Sequence, residues 1–432
     1  MKSGDTHHAF SDPGPRGTSV GLIVISSLLV LMGAGAFMVG IRGPQATRVW
    51  QAYLINLLFW SGLSYGSIFF VVILNMTSAR WARPMKRLAE APGAFLPIAF
   101  LLFWVLWVGK EEIFPWIKAP IAEKAAWLDA TLLFARDGGA LFLITAATLA
   151  LLYFSVKGDL LVLRAMRDRR SIHEPSQDEG SESLSAIRKT WQAQKLLSPI
   201  FAVLYFVALT LLAWDLVMSL DPQWTSTLFG AYYFIGCLYT AVAAVVVLSV
   251  VARQRMGLKP FIQPGHFHDL GKFLLAFLLI TGDFFFSQYL LIWYGNIPEE
   301  THFLILRYRF EPWRTVSWAI LLLIFGLPFL ALLSRRLKMK PAPMLIIGAI
   351  ILVGMWLERF LLVAPSLWSG GGLPLGHWEL MISLGYLGLV VLCVRLFLGR
   401  CPLLPLSDPM FRGSWPATGD LDEAGSIPSV EV

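Results

Sequence analysis

The chain has 432 residues, of which 56% are hydrophobic and 15% charged, and its formal net charge is +7. Soluble domains carry roughly 25% charged residues, so this composition excludes one water-soluble core and requires the bilayer as solvent for much of the chain. In such a chain the basic excess reports membrane sidedness and not nucleic-acid binding.

In chain order, residues 1–19 form a polar stretch with His7, His8, Asp12, Pro13 and Pro15, read as a cytoplasmic tail and not a signal peptide. Ten apolar segments follow, each near the roughly 20 residues that cross a hydrocarbon core about 30 Å thick. They are predicted at Val20–Gly40, Trp50–Met76, Ala94–Val108, Gly138–Val156, Ser198–Leu220, Thr227–Ala252, Leu270–Trp293, Val316–Leu333, Pro343–Val363 and Trp378–Gly399. The third is short and is expected to begin near Ala91, and the fourth to open on an irregular elbow at Asp129–Arg136. Gly62 and Gly66 form a GxxxG in the second segment, a pattern that suits close helix packing better than chemistry. The fold class is therefore an all-α integral membrane protein of about ten transmembrane helices spanning 20–399. A cytoplasmic loop at 157–195 contains a polar run, His173–Ser183, expected to be flexible, as is a tail at 400–432.

Lys and Arg concentrate after the even-numbered segments, at Arg80–Arg87, Lys157–Lys195, Arg253–Lys259 with Lys272, and Arg335–Lys340, and in the tails at Lys2, Arg16, Arg400 and Arg412. The opposite side holds only Arg42, Arg48, Lys110, Lys118, Lys124, Arg307, Arg309 and Arg314. The positive-inside rule then places both termini in the cytoplasm, in a multi-pass inner-membrane protein. Trp104, Trp107, Trp293, Trp313, Trp318, Trp368 and Trp378 lie near segment ends, as interfacial belts do.

Charges inside spans are costly and mark function by default. Asp215 falls in the outer third of the fifth segment, Asp283 near the middle of the seventh, and the adjacent Glu358 and Arg359 in the outer part of the ninth. Arg136 and Asp137 sit at the outer edge of the fourth, and Glu379 at that of the tenth. Buried carboxylates can exchange protons near neutral pH, so these residues fit a proton path or polar groups facing a quinone headgroup. The outer charges fit interhelical ion pairing as well, for example Arg359 to Asp215 or Arg136 to Glu358. Asp283 has no basic neighbour in its own helix, which favours function there.

None of the seven histidines, His7, His8, His173, His266, His268, His302 and His377, lies inside a span, so two helix histidines holding a b-type haem are not expected. Cys237, Cys393 and Cys401 form no CxxC or CxxCH. The GHFHDLGK stretch lacks P-loop spacing, and His266, His268 and Asp269 fit a solvated lead into a helix better than a metal site. No cofactor is expected on this chain, and redox groups would belong to partners.

Three stretches carry a resemblance: WDLVMSLDPQWTSTLFGAYYFIG at Trp214–Gly236, HDLGKFLLAF with FSQYLLIWYGNIPEET within His268–Thr301, and LPFLALLSRRLK at Leu327–Lys338. Together they resemble the second quinone-binding-type membrane subunit of alternative complex III, the quinol:cytochrome c oxidoreductase, within the wider NrfD and polysulfide-reductase membrane-anchor group. The resemblance covers most of the chain from Arg48 to Asp408–Pro409. It implies two four-helix bundles plus two peripheral helices. It implies as partners a sister NrfD-like subunit, a multihaem cytochrome c, an iron–sulfur subunit and small anchor and cytochrome subunits, with haem and iron–sulfur clusters on those partners. It implies a role in proton conduction or at a quinone/quinol site. Two departures stand out: Thr281-Gly282-Asp283 replaces the usual aromatic pair before FSQYL, and the Glu-Arg of MWLERF resembles the sister subunit. A secondary transporter and a purely structural anchor are the competing expectations. No pair of Gly/Pro-interrupted helices in corresponding halves supports the first of these.

Overall fold

The computed structural model describes residues 20–171, 177–368 and 370–412, with backbone alone over 167–171 and 177–183 and at 412. Ten of its helices are long and apolar enough to cross a membrane: α1 (Val20–Gly40), α2 (Ala46–Met76), α3 (Arg83–Val105), α4 (Ala130–Met166), α5 (Leu184–Leu220), α6 (Phe229–Arg255), α7 (Pro264–Gly295), α8 (Trp313–Leu333), α9 (Pro341–Leu367) and α10 (His377–Arg400). No strand occurs among the described residues. The end of the molecule bearing the even-numbered turns is called the basic end below, and the other the far end.

α2–α5 pack as one four-helix bundle and α6–α9 as a second, while α1 and α10 pair with each other and lie against α2 and α3. The bundles meet along α2 and α6. Gly62 and Gly66 make that joint possible: a Cβ on Gly62 would sit 2.6 Å from Cys237 Sγ, and one on Gly66 2.5 Å from the Cys237 carbonyl oxygen. The α1–α10 pair closes the same way, with a Gly33 Cβ falling 2.6 Å from Gly385 Cα. Small residues at such crossings let backbones approach where no hydrophobic effect drives helices together. Of its apolar window α2 buries 89% and α1 only 17%, so a run that is apolar all round does not say by itself whether it faces lipid or protein.

Several boundaries differ from the sequence expectation, each for a polar reason. α3 begins at Arg83 and not near Ala91, because the charges of its first turns are buried in a neutral network. The elbow expected at Asp129–Arg136 is helical from Ala130, with the Asp129 carboxylate accepting the Leu132 N–H at 2.7 Å as an N-cap. Helix continues from α4 to Ser171 and begins again at Gln177, so the loop expected at 157–195 is mostly helix. Of His173–Ser183, residues 173–176 lie outside the described residues, as do 1–19 and 413–432. The segment 401–412, expected to be flexible, is instead held beneath the first bundle, with Leu404, Asp408, Met410 and Phe411 buried.

Two irregular helices in the second bundle have their backbone groups satisfied. α8 contains a π turn at Leu322–Gly326, and the Tyr239 hydroxyl donates to the Ile324 carbonyl at 2.9 Å. Pro365, inside α9, has no N–H for the Leu361 carbonyl. The buried Arg307, from the Pro298–Tyr308 helix, donates there instead through Nε at 3.0 Å, and through Nη2 to the Leu362 carbonyl at 2.9 Å.

Candidate functional site

α4 carries a polar stripe into the first bundle. Asp137, Thr145, Thr148, Ser155 and Asp159 share its buried face, at exposures from 0% to 6%. Helical periodicity puts positions 8, 11, 18 and 22 residues apart on one side, and the 22 residues from Asp137 to Asp159 cover about 33 Å, the thickness of a bilayer core.

At the far end of this stripe Arg136 Nε donates to Asp215 Oδ2 at 2.6 Å and Trp127 Nε1 donates to Asp215 Oδ1 at 2.9 Å. The Arg136 guanidinium also lies 3.8 Å from the Trp127 ring centroid. Asp137, 0% exposed, lies beside the Asp215 carboxyl, yet neither of its oxygens meets a donor among the described residues. Two adjacent carboxylates repel, and a single proton between them converts the repulsion into a hydrogen bond. Arg136 Nη2 is also unpartnered, so the cluster keeps a spare donor and a spare acceptor.

Below it lies a cavity of ≈10 Å³, lined by Ser61, Tyr65, Leu141, Leu212 and Leu216 among others, about the room one water needs. The Tyr65 hydroxyl bonds Thr145 Oγ1 at 2.8 Å, and Thr148 Oγ1 donates to the Ile144 carbonyl at 2.9 Å. Leu151 and Leu152 then interrupt the polar stripe: from Thr148 to Ser155 it is apolar for about 10 Å.

Past that break, Ser155 Oγ donates to Glu90 Oε1 at 2.7 Å, and Arg87 joins Glu90 to Asp159. Asp159 Oδ1 also accepts from Ser407 N and Oγ at 2.7 and 2.6 Å. Asp408 accepts from Arg83 Nη1 at 2.7 Å and Lys86 Nζ at 2.9 Å, and Lys86 reaches Gln194 Oε1 at 2.9 Å. Arg83, Lys86 and Arg87 thus balance Glu90, Asp159 and Asp408, all six at 2% exposure or less. Burial disfavours charge on Asp408, but Lys86 and Arg83 outweigh that and hold it below the usual carboxylate range.

The other expected residues fall elsewhere. Glu358 and Arg359 sit at the α6–α9 contact, where Arg359 Nη1 donates to Glu358 Oε2 at 2.7 Å, Arg359 Nη2 approaches Cys237 Sγ at 3.5 Å, and the guanidinium lies 4.2 Å from the Tyr233 ring centroid. The pairings anticipated as Arg359 to Asp215 and Arg136 to Glu358 are therefore not the ones formed. Arg136 and Asp215 meet across the adjacent α4 and α5, and Arg359 is neutralised by its own chain neighbour. Glu379 accepts from Arg48 Nε and Nη2 at 2.9 and 2.8 Å and from the Gly376 N–H at 2.8 Å, which makes it an N-terminal clamp for α10. His266 Nδ1 accepts the Gln263 N–H at 2.9 Å at the start of α7. Among the described residues, no group of three or more His, Cys, Asp or Glu is placed to hold a metal. Asp283 joins neither cluster and is exposed on α7.

One large cavity, ≈680 Å³, opens at the far end between Trp127, the end of α5, residues 222–228 and the end of α7. Trp214 and Trp224 line it with buried indole N–H groups that meet no acceptor among the described residues, and Gln288 accepts from Ser226 Oγ at 3.1 Å on its wall. Trp127, the donor to Asp215, also lines it.

The basic-end cluster escaped the sequence reading because Arg83, Lys86 and Arg87 count as loop charges when each is weighed alone. The available signal was the spacing of Thr145, Thr148, Ser155 and Asp159 from Asp137 along one apolar helix. In comparisons with known proteins, the chain matches no protein-family model and no curated protein sequence.

Proposed function

We propose that the chain is a membrane subunit of a quinol-oxidising electron-transfer complex of the quinol:cytochrome c oxidoreductase type, in which the first bundle conducts protons. The observation that carries this reading is the polar stripe of α4. Asp137 and Asp215 end one half of it, Glu90 and Asp159 end the other, and Leu151 and Leu152 form a dry barrier between. Two half-paths separated by an apolar step suit controlled proton transfer better than an open pore, because a water-sized cavity and hydroxyls serve the far half and Ser155 the other, while leakage must cross the leucines.

The far-end cavity suits the quinol itself. Trp214, Trp224 and Gln288 would hold the headgroup, with Trp127 linking the cavity wall to Asp215. Quinol supplies two electrons and two protons, the electrons passing to haem or iron–sulfur groups on partner chains. The residues of this chain orient the ring, exclude water and accept protons at the Asp137–Asp215 carboxyls. The sister membrane subunit, the multihaem cytochrome and the iron–sulfur subunit belong to the same proposal.

Asp137→Asn in the purified complex tests it. Loss of a positioned proton acceptor is expected to lower quinol:cytochrome c turnover roughly 100-fold with subunit assembly intact. Wild-type turnover with Asn at 137 would remove the proton role and leave a structural anchor.

A further inference from the structure

We infer that the outward face of α7 is an intramembrane docking surface for a transmembrane helix of a different chain, one that presents a Lys or Arg to Asp283. Asp283 lies about 18 Å along α7 from Gly295 and about 28 Å from Pro264, well inside the span. Its side chain is exposed, and it has no hydrogen bond or ion pair among the described residues. A carboxylate facing hydrocarbon is costly enough that membrane acids almost always meet a base, a water-filled cavity or another chain. The ≈680 Å³ far-end cavity is lined by Gln288, Leu291 and Ile292 of α7 but not by Asp283.

The rest of that face is built for packing. Ala276, Leu279, Asp283 and Phe286 follow one another at spacings of three and four residues, all exposed, so they line one face on which a second helix can pack. Gly282, at the edge of this face beside Leu279 and Phe286, packs against α8, where an added Cβ would meet the Phe325 ring at 2.7 Å. Among the described residues, a second copy of this chain offers no free base at that depth. Arg359 is buried on Glu358, Arg136 is bound to Asp215, and Arg395 is within about 8 Å of the α10 terminus. Charge complementarity therefore selects a different, basic helix. This inference rests on the exposure of Asp283 and holds whether or not the complex oxidises quinol.

The test is photo-crosslinking in native membranes, with a benzophenone amino acid at Leu279 or Phe286 and, as control, at the exposed Leu31 of α1. Adducts from Leu279 and Phe286, but not Leu31, are expected with one transmembrane peptide carrying Lys or Arg within its span. Asp283→Arg should reduce the adduct to roughly a tenth or less, and exchanging the partner's base for Asp should restore it. Asp283→Asn serves as the second variant should the Arg chain not accumulate, and it should weaken the adduct in the same direction. Adducts with lipid alone, with a second copy of this chain, or with a helix lacking a base would overturn the inference, as would an adduct unchanged by both substitutions.

Discussion

The two four-helix bundles handle charge in opposite ways. In the first, the buried face of α4 carries a carboxyl near each end, and the cations are shared across elements: Arg136 of α4 pairs with Asp215 of α5 at the far end, and at the basic end Arg87 of α3 pairs with Asp159 beside the Asp408 that Arg83 and Lys86 hold. In the second, Glu358 and Arg359 neutralise each other as chain neighbours, and the remaining membrane carboxyl, Asp283, faces outward. A charge within a span is thus a matter of address. In the first bundle it is paired across helices, in α9 it is paired with its own chain neighbour, and on the outer face of α7 it has no partner among the described residues.

The sharpest way to break the contrast is to unbalance the two buried networks. Asp159→Leu leaves Arg87 with one carboxylate fewer and unhooks Ser407. It should cost about 3–5 kcal/mol, read as a lower thermal midpoint in detergent or failure to accumulate. Glu358→Gln keeps an acceptor beside Arg359 and should cost less, about 1–3 kcal/mol in the same assay. Equal losses would mean that the second pair is as deeply networked as the first.

A smaller effect is expected from pH at the docked segment 401–412. Because Asp408 titrates lower folded than unfolded, its contribution is complete above the unfolded value of about 3.9 and is lost only as pH falls through the lower folded value. Limited proteolysis should therefore find 401–412 protected from neutral pH down to about 4 and cut only below that. Cleavage that rises already near pH 6 would contradict the ion-pair lock. The smallest effect belongs to Asp283→Asn. With no internal partner to lose, the isolated chain should change stability by no more than about 0.5 kcal/mol, and a large drop in its thermal midpoint would mean that Asp283 is held from within.

The ten spans were legible in the sequence, because length and apolarity report spanning directly. The resemblance supplied the two bundles. Which helices lie inside was not legible, since α1 and α6 are both apolar all round and only packing distinguishes them. Of the candidate site, Asp137, Asp215 and Arg136 were visible as charges at a span edge. Glu90, Asp159 and Asp408 were not, because hydropathy charges each residue separately and cannot credit a carboxylate with a cation brought from another part of the chain. The ion-pair partners stayed hidden for the same reason. Periodicity tells which side of a helix a residue occupies, and only tertiary structure tells what faces it.

The most direct measurement is purification of the chain from its native membrane in mild detergent, followed by a haem-stained gel and peptide mass spectrometry. Co-purification with a multihaem cytochrome and a sister ten-helix subunit, with haem reduced on addition of quinol, is the expected result. Recovery of the chain alone, colourless and without a redox partner, would contradict the oxidoreductase role and favour a transporter.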